Sequence, residues 1–373
     1  MATAAWIRLT LVPGVGGETQ RQLLKTFGLP EAVFAAGLPA LRNAVGSTLA
    51  ERLVSHDSSA EVETALAWAA EPGNRIVTLA DPEYPQALLE CVDPPILLYA
   101  KGDVACLNRP AIAIVGSRNA THQGEANAEA FAAHLAGTGL TVVSGLALGI
   151  DAAAHRGALA GAGATVAVIG TGADRIYPAK NEALARRIVE KGAIVSEFPL
   201  GTPALAGNFP RRNRIIAGLA RGCLVVEAAE RSGSLITARL AAESGREVFA
   251  IPGSIHSPLS KGCHKLIKQG AKLVDKAEDI LEELRWEASV NPIAGSGRTA
   301  APGRGDSGSA LPAAPADGEE DRVLLAIGHE SCSLETLCVR TGLAVDALLA
   351  RLLALELDGR IGQLPGGRYQ RLS

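Results

Sequence analysis

The chain is predicted to fold as an α/β protein around a doubly wound, mostly parallel sheet, and three observations carry that prediction. Six short apolar runs recur between Arg109 and Asp275: AIAIVGSR (Ala111–Arg118), TVVSGLALGID (Thr141–Asp151), TVAVIGTGADRIYP (Thr165–Pro178), AIVSEF (Ala193–Phe198), CLVVEA (Cys223–Ala228) and EVFAIPG (Glu247–Gly253). Each closes on a turn of small residues, and helical segments separate them at Gln123–Leu135, Ile150–Leu159, Lys180–Lys191, Arg211–Ala220 and Ser234–Ser244. The runs are continuous in Val and Ile rather than alternating with polar residues, the pattern of strands buried on both faces. Ligands of such sheets bind at the carboxyl ends of the strands, where these turns gather.

The flanks differ in character. Residues 1–70 read as a small helical domain, in which LVPGVGGETQRQLLKTFG (Leu11–Gly28) places a glycine turn before a helix over Glu18–Phe27. That turn is like a helix-hairpin-helix, whose free N–H groups can meet a phosphate. With only Arg21 and Lys25 nearby, helical packing without a ligand is the favoured reading. Strands at Arg75–Leu79 and Ile96–Tyr99 extend the sheet domain, which spans 71–287. Residues 288–318 are rich in Ala, Gly, Pro and Ser and are expected to be a disordered linker. From 319 to 373, three helical segments and a turn at Pro365-Gly366-Gly367 read as a winged helix. Its second-last segment, Val345–Leu357, carries a single Arg, and the region holds eight acidic residues against six arginines. A groove-reading helix should carry several basic or amide side chains, so protein contact or regulation is the favoured role.

Composition narrows the class. Of 373 residues 47% are hydrophobic but only 3% aromatic, so Ala, Leu, Val and Ile must build the core. A net charge of −3 gives no global attraction to nucleic acid; any basic site must be local. Six scattered cysteines without a CxxC pair point to reduced thiols in a cytoplasmic protein. No stretch approaches ~18 apolar residues, and no membrane partner is expected. The seven histidines show no metal-ligand spacing, so no metal is expected. A P-loop, a GxSxG elbow and a strict GxGxxG are all absent, so neither a catalytic residue nor a cofactor is assigned.

What remains is a set of anion-binding turns. Gly116, Ser117 and Arg118 end the first central run, where backbone N–H groups and a guanidinium can hold a phosphate. Gly145 permits close approach at the next strand end, and Lys180 and Asn181 bring a cation and an amide after the third. Arg211, Arg212, Asn213 and Arg214 open a helix whose positive end does not favour cations, which suggests a polyanion ligand. Ser232, Gly233 and Ser234 have the shape of a phosphate cradle. From Gly172 to Arg221 there are nine Lys/Arg against four Asp/Glu, a local +5 in a chain of −3. A repeated-phosphate ligand fits these loops, and scarce aromatics favour backbone capture over extensive base stacking.

These loops together resemble the DNA processing protein A (DprA/Smf) family. The motifs that carry the resemblance are IVGSRNAT (Ile114–Thr121), VVSGLALGIDAAAHRGAL (Val142–Leu159), IGTGADRIYPAKN (Ile169–Asn181), SEFPLGTPALAGNFPRRNRIIAGLA (Ser196–Ala220), VVEAAERSGSLITARLA (Val225–Ala241) and FAIPGSIHSPLSKGCHKLIKQGAKLV (Phe249–Val274). The resemblance implies a Rossmann-like sheet domain between a helical N-terminal module of helix-hairpin-helix or SAM-like type and a C-terminal winged helix. It implies a non-enzymatic protein that binds and shields single-stranded DNA in natural transformation, loads the RecA recombinase, and works as a homodimer through its Rossmann-like domain. It further implies that Arg118 is the pocket arginine, with Lys180, the Arg211–Arg214 run and Ser232–Ser234 beside it, and Gly262–Val274 is a candidate dimer edge. The rival from the enzyme class is a nucleotide hydrolase of the related phosphoribohydrolase type. There the matching loop needs a Glu that Ser232–Thr237 lacks.

Overall fold

The computed structural model describes residues 2–91, 93–161, 163–286, 320–328 and 331–372; the linker expected at 288–318 lies outside the described residues. The chain forms two compact units, one of residues up to 287 apart from 121–123, the other C-terminal.

The first unit is built on nine strands: β1 (Asn74–Thr78), β2 (Leu97–Gly102), β3 (Ala111–Val115), β4 (Thr141–Ser144), β5 (Thr165–Val168), β6 (Ala193–Ser196), β7 (Gly222–Val225), β8 (Glu247–Ala250) and β9 (Lys272–Leu273). Their order is β1-β2-β6-β5-β4-β3-β7-β8-β9. From β3 the chain winds outward through β4 and β5 to β6, then crosses to β7 on the other side of β3 and continues to β8 and β9. All neighbours from β6 to β9 pair in parallel; β2 runs antiparallel to β6, and β1 to β2. Chain order therefore reverses between β3 and β7. That is the topological switch point, where two βα turns diverge and leave a crevice.

Alternating strand residues feed two cores. Ile112, Ile114, Val142 and Leu224 face one side, while Ala113, Val115, Val143 and Val225 face the other. Helices α1 to α6 (Ala2–Leu11, Gly17–Phe27, Pro30–Ala35, Leu38–Val45, Ser47–Ser55, Ser59–Ala70) precede the sheet, and α7 (Gln86–Leu89) links β1 to β2. Helices α8 (His122–Gly137), α9 (Ile150–Ala160), α10 (Glu182–Lys191), α11 (Asn208–Leu219), α12 (Ser234–Glu243), α13 (Lys261–Lys268) and α14 (Ala277–Glu283) follow the parallel strands. The helical N-terminal region shares its core with the sheet: Trp6, Ile7, Leu23 and Trp68 pack with Ile96, Leu97 and Tyr99. Trp68 meets Tyr99 edge to face at 5.8 Å. The change from helix to strand near residue 70 is thus a change of element within one continuous core. All six cysteines are free thiols, and no described helix is long and apolar enough to cross a membrane.

The second unit is a winged helix of α15 (Glu320–Ile327), β10 (Cys332–Ser333), α16 (Leu334–Thr341), α17 (Val345–Leu357), β11 (Ile361–Leu364) and β12 (Arg368–Arg371), its sheet ordered β10-β12-β11. Ser333 caps α16 by accepting the Thr336 N–H at 3.2 Å. Leu348, Leu352 and Leu355 of α17 fill the core with Val323 and Leu337. Val345, Leu349, Leu353 and Leu357, one helical turn apart, are exposed along its outer face.

Candidate nucleic-acid interface

A cleft of about 620 Å³ opens at the switch point, walled by the turns after β3, β4 and β7 and by the first turns of α11 and α12. Gly116 and Arg118 line it, as do Arg212, Asn213 and the loop Ser232, Gly233 and Ser234. Three helix N-termini, those of α9, α11 and α12, lie at this end of the sheet, so backbone dipoles add positive potential to it.

Glycine is required where the turns meet. A Cβ on Gly116 would lie 2.6 Å from the Ile150 side chain and 2.9 Å from the Glu227 carbonyl. Gly149 has a φ of +71°, and a Cβ there would come within 2.4 Å of the Ser117 carbonyl. That carbonyl accepts the Ile150 N–H at 3.1 Å, while Ser117 Oγ accepts the Asn119 N–H at 3.1 Å. Ser117 is therefore buried and braces the loop that leaves Arg118 exposed at the cleft.

The arginine run divides three ways. Successive helical residues point about 100° apart, so Arg211, Arg212 and Arg214 cannot face one ligand together. Arg212 is only 4% exposed; its Nη1 donates to the Gly145 carbonyl at 2.6 Å and to that of Val168. Burial pushes its pKa down to about 10, with Asp151 pulling the other way. Asp151 is itself buried beside it and accepts the N–H groups of Gly145 (3.1 Å) and Ala147 (3.4 Å); burial raises its pKa against the pull of Arg212. A Cβ on Gly145 would strike the Arg212 guanidinium, so Gly145 makes room for this brace and does not line the cleft. Arg214 turns away, its Nε 2.8 Å from Asp93 and its Nη2 on Glu197. Arg211 is exposed, stands over the Phe198 ring at 5.3 Å and lines a separate hollow beside Gly14–Gly17.

Two further expected residues also lie off the cleft wall. Asn181 is buried and donates to the carbonyls of Leu146 (2.8 Å) and Ala147 (3.1 Å). It holds Leu146 at a φ of 59°, a left-handed conformation that few non-glycine residues adopt. Lys180 beside it is exposed without lining the cleft. Asn213 Nδ2 reaches the Gly233 carbonyl at 3.4 Å, and Ser232 and Ser234 share a hydroxyl contact of 2.7 Å, tying α11 to the α12 turn.

Sequence reasoning missed the aromatic part of the site. Tyr177 and Phe209 line the cleft with ring centroids 5.8 Å apart, and the Arg118 guanidinium lies 5.2 Å from the Phe209 centroid. Tyr177 is 48% exposed. The available signal was an aromatic residue directly before a proline, a pairing that four of the chain's ten Tyr and Phe residues share: Tyr84, Tyr177, Phe198 and Phe209.

Fold and cleft together define a doubly wound α/β protein with an open cleft at its switch point, joined to a winged helix. The family model described as DNA recombination-mediator protein A matches residues 75–285, and the DprA winged helix domain model matches 307–367. The chain belongs to the DNA processing protein A (DprA/Smf) family. Protein Smf of Escherichia coli (strain K12) is 40% identical over 99% of this chain and 96% of its own length. DNA processing protein DprA of Streptococcus pneumoniae is 49% identical over 56% of this chain and 74% of its own. The X-ray structure of the pneumococcal protein superposes with a TM-score of 0.67 at 39% identity, covering 75% of this chain and 97% of that one. A Helicobacter pylori DNA processing protein A structure, which describes that protein's single-stranded DNA binding mode, superposes with a TM-score of 0.52 at 31% identity, covering 56% of this chain and 95% of that one.

Proposed function

We propose that this protein binds single-stranded DNA in the switch-point cleft, protects the strand, and presents it to the RecA recombinase during natural transformation, without catalysing a reaction. The observation that carries the reading is the exposed Arg118 standing over Phe209 with Tyr177 alongside. A guanidinium for the phosphate next to a ring platform for the base suits one strand and not a closed duplex, whose bases are stacked on one another. Ser232–Ser234 and the α12 N-terminus supply neutral donors for the adjoining phosphate. Asp151, a carboxylate on the cleft wall, accepts two backbone N–H groups beside Arg212, which favours binding over a hydrolase of the phosphoribohydrolase type. The named DNA-binding mode of the Helicobacter relative supports the same ligand. A cytoplasmic homodimer is part of the proposal. Strand β9 ends the sheet within Gly262–Val274 and carries Leu273 at 48% exposure, which supports pairing at that edge.

The test is fluorescence anisotropy of labelled oligo-dT over a salt series. Arg118→Ala is expected to weaken binding by about 1.5–3 kcal/mol, roughly ten- to a hundredfold, as for a lost charge-assisted contact. Wild-type affinity in that variant at every salt concentration would remove the cleft from the reading. Release of free base from a nucleoside monophosphate would instead favour the hydrolase.

A further inference from the structure

The hollow that Arg211 lines, of about 400 Å³, opens on the β2–β6 side of the sheet, away from β9. Its walls are the glycine turn at residues 13–17, the segment 197–199 that follows β6, and Arg211 and Arg214 of α11. Pro210 lines the switch-point cleft and Arg211 lines this hollow, so the first turn of α11 is the ridge between the two.

The glycine turn is built to present N–H groups. Pro13 and Gly14, the latter at a φ of +83°, make the reversal, which the Val15 N–H closes on the Val12 carbonyl at 3.1 Å. Buried Gln20 donates to the Val15 carbonyl at 3.0 Å and fixes the turn against α2. Gly16, exposed, is the N-cap residue and brings no side chain to the helix end. The first N–H groups of α2 are therefore left uncapped on the wall of the hollow.

In the sequence only Arg21 and Lys25 stand near this turn. Folding turns Arg21 onto Asp93 and supplies two other cations. Arg52 of α5 donates to the Pro13 carbonyl at 3.2 Å, and Arg211 lines the hollow itself. Both are exposed, and none of the ion pairs among the described residues takes either. Glu197, the carboxylate on the wall, is paired with Arg214. Each of that pair keeps one buried atom, Glu197 Oε1 and Arg214 Nη1, without a hydrogen-bond partner among the described residues, and the Glu197 side chain is only 8% exposed. Buried polar atoms are satisfied as a rule. A nucleotide carries both complements, phosphate oxygens for the donor and base N–H groups for the acceptor.

We infer that this hollow is a second phosphate site for the same single strand. A strand leaving the cleft over Pro210 meets Arg211, and the N–H groups of Gly16 and Gly17 at the start of α2 take a phosphate farther along, with Arg52 adding charge behind the turn. The inference rests on the cleft being the single-strand site. It leaves the β9 edge free for a second copy of the chain.

The experiment compares wild type, Arg211→Ala, Gly16→Asp and Arg118→Ala on two labelled oligo-dT strands, one of ~4 nucleotides and one of ~20, bracketing the site sizes usual for one such domain. Gly16 has a φ of −78° and a ψ of 174°, and a Cβ there meets nothing within 4 Å. Asp fits that position without strain and is a good N-cap, so it closes the N–H groups to phosphate while stabilising α2. The midpoint of thermal unfolding of Gly16→Asp should accordingly not fall below that of wild type. Arg211→Ala and Gly16→Asp should each match wild type on the short strand and lose roughly tenfold on the long one, the scale of one charge-assisted contact. For Arg211→Ala the slope of log affinity against log salt on the long strand should be shallower by about 0.7, one phosphate. Unchanged long-strand affinity in either variant would overturn the second site, as would an equal loss on both lengths, which would put Arg211 in the cleft itself. Arg118→Ala should weaken both lengths. If it weakens neither, the cleft reading fails, while a long-strand loss in the other two variants would still place a phosphate at the hollow. Failure of wild type to bind either strand would sink both.

Discussion

Helices α11 and α17 are the two elements whose sequence patterns suggest recognition, and the structure turns them in opposite ways. Helix α11 brings three arginines and an asparagine within four residues, yet Arg212 and Asn213 are buried and Arg214 is held by Asp93 and Glu197. Helix α17 carries one arginine and exposes Val345, Leu349, Leu353 and Leu357. A helix rich in cations spends them largely inward; a helix in the usual reading position shows leucines to solvent. Residue type sets what a side chain can do, but the 100° step sets which of them a ligand can meet. The exposed arginine of the cleft, Arg118, comes from a loop.

The sharpest way to break this contrast is to treat the arginine run as one unit. Arg214→Ala should cost about 3–5 kcal/mol of stability, because it strands Glu197, whose side chain is 8% exposed, without its cation. Oligo-dT affinity of the folded fraction should not change. Burial already raises the pKa of Glu197, and Arg214 is the largest opposing influence, so its removal raises that pKa further. A carboxyl with a raised folded-state pKa contributes stability below its unfolded value and loses it as pH rises through the folded one. The deficit of Arg214→Ala against wild type should therefore shrink as pH falls from neutral towards acid. Urea denaturation at several pH values measures it. A stable variant with weakened DNA binding would place Arg214 among the ligand contacts.

Next in size is the aromatic platform. Phe209→Ala should cost about 1–3 kcal/mol of oligo-dT affinity, the usual range for one stacked base, while leaving the salt slope of wild type. A shallower slope with unchanged affinity at low salt would mean that Phe209 only supports Arg118. This residue also marks where reading the chain ran out. Val/Ile runs and their closing turns located the sheet and placed Gly116, Arg118, Asn213 and Ser232–Ser234 at one end of it, because strand ends gather in any doubly wound fold. The partners of Arg212 and Arg214 were not legible, since Asp151, Asp93 and Glu197 come from other elements and only folding brings them near. Phe209, in the first turn of α11, and Tyr177, in the loop after β5, meet only on folding for the same reason. Helix α11 begins at Asn208, three residues before the Arg211 expected from the sequence, because Pro210 is tolerated in a first turn. The antiparallel direction of β2 has no signature in the residues Ile96–Tyr99.

The smallest expected effect lies on α17. A winged helix that reads DNA inserts this helix in the major groove, and base edges there are met by Arg, Lys, Asn or Gln. The outer face of α17 offers Ala347, Leu349, Ala350, Leu353 and Ala354, with Asp346 and Glu356 as its exposed charges. Desolvating those leucines against a phosphate-lined groove gains no hydrogen bond, and both carboxylates would oppose the phosphates. Arg351→Glu should therefore change affinity for oligo-dT and for a duplex of matched length by less than about twofold, ~0.4 kcal/mol. Anisotropy on both probes, with Arg118→Ala measured in parallel, gives the comparison. A loss on the duplex alone would make α17 a second, duplex-specific reader despite its leucines. The division of labour would then be by type of nucleic acid, with each helix end serving its own ligand.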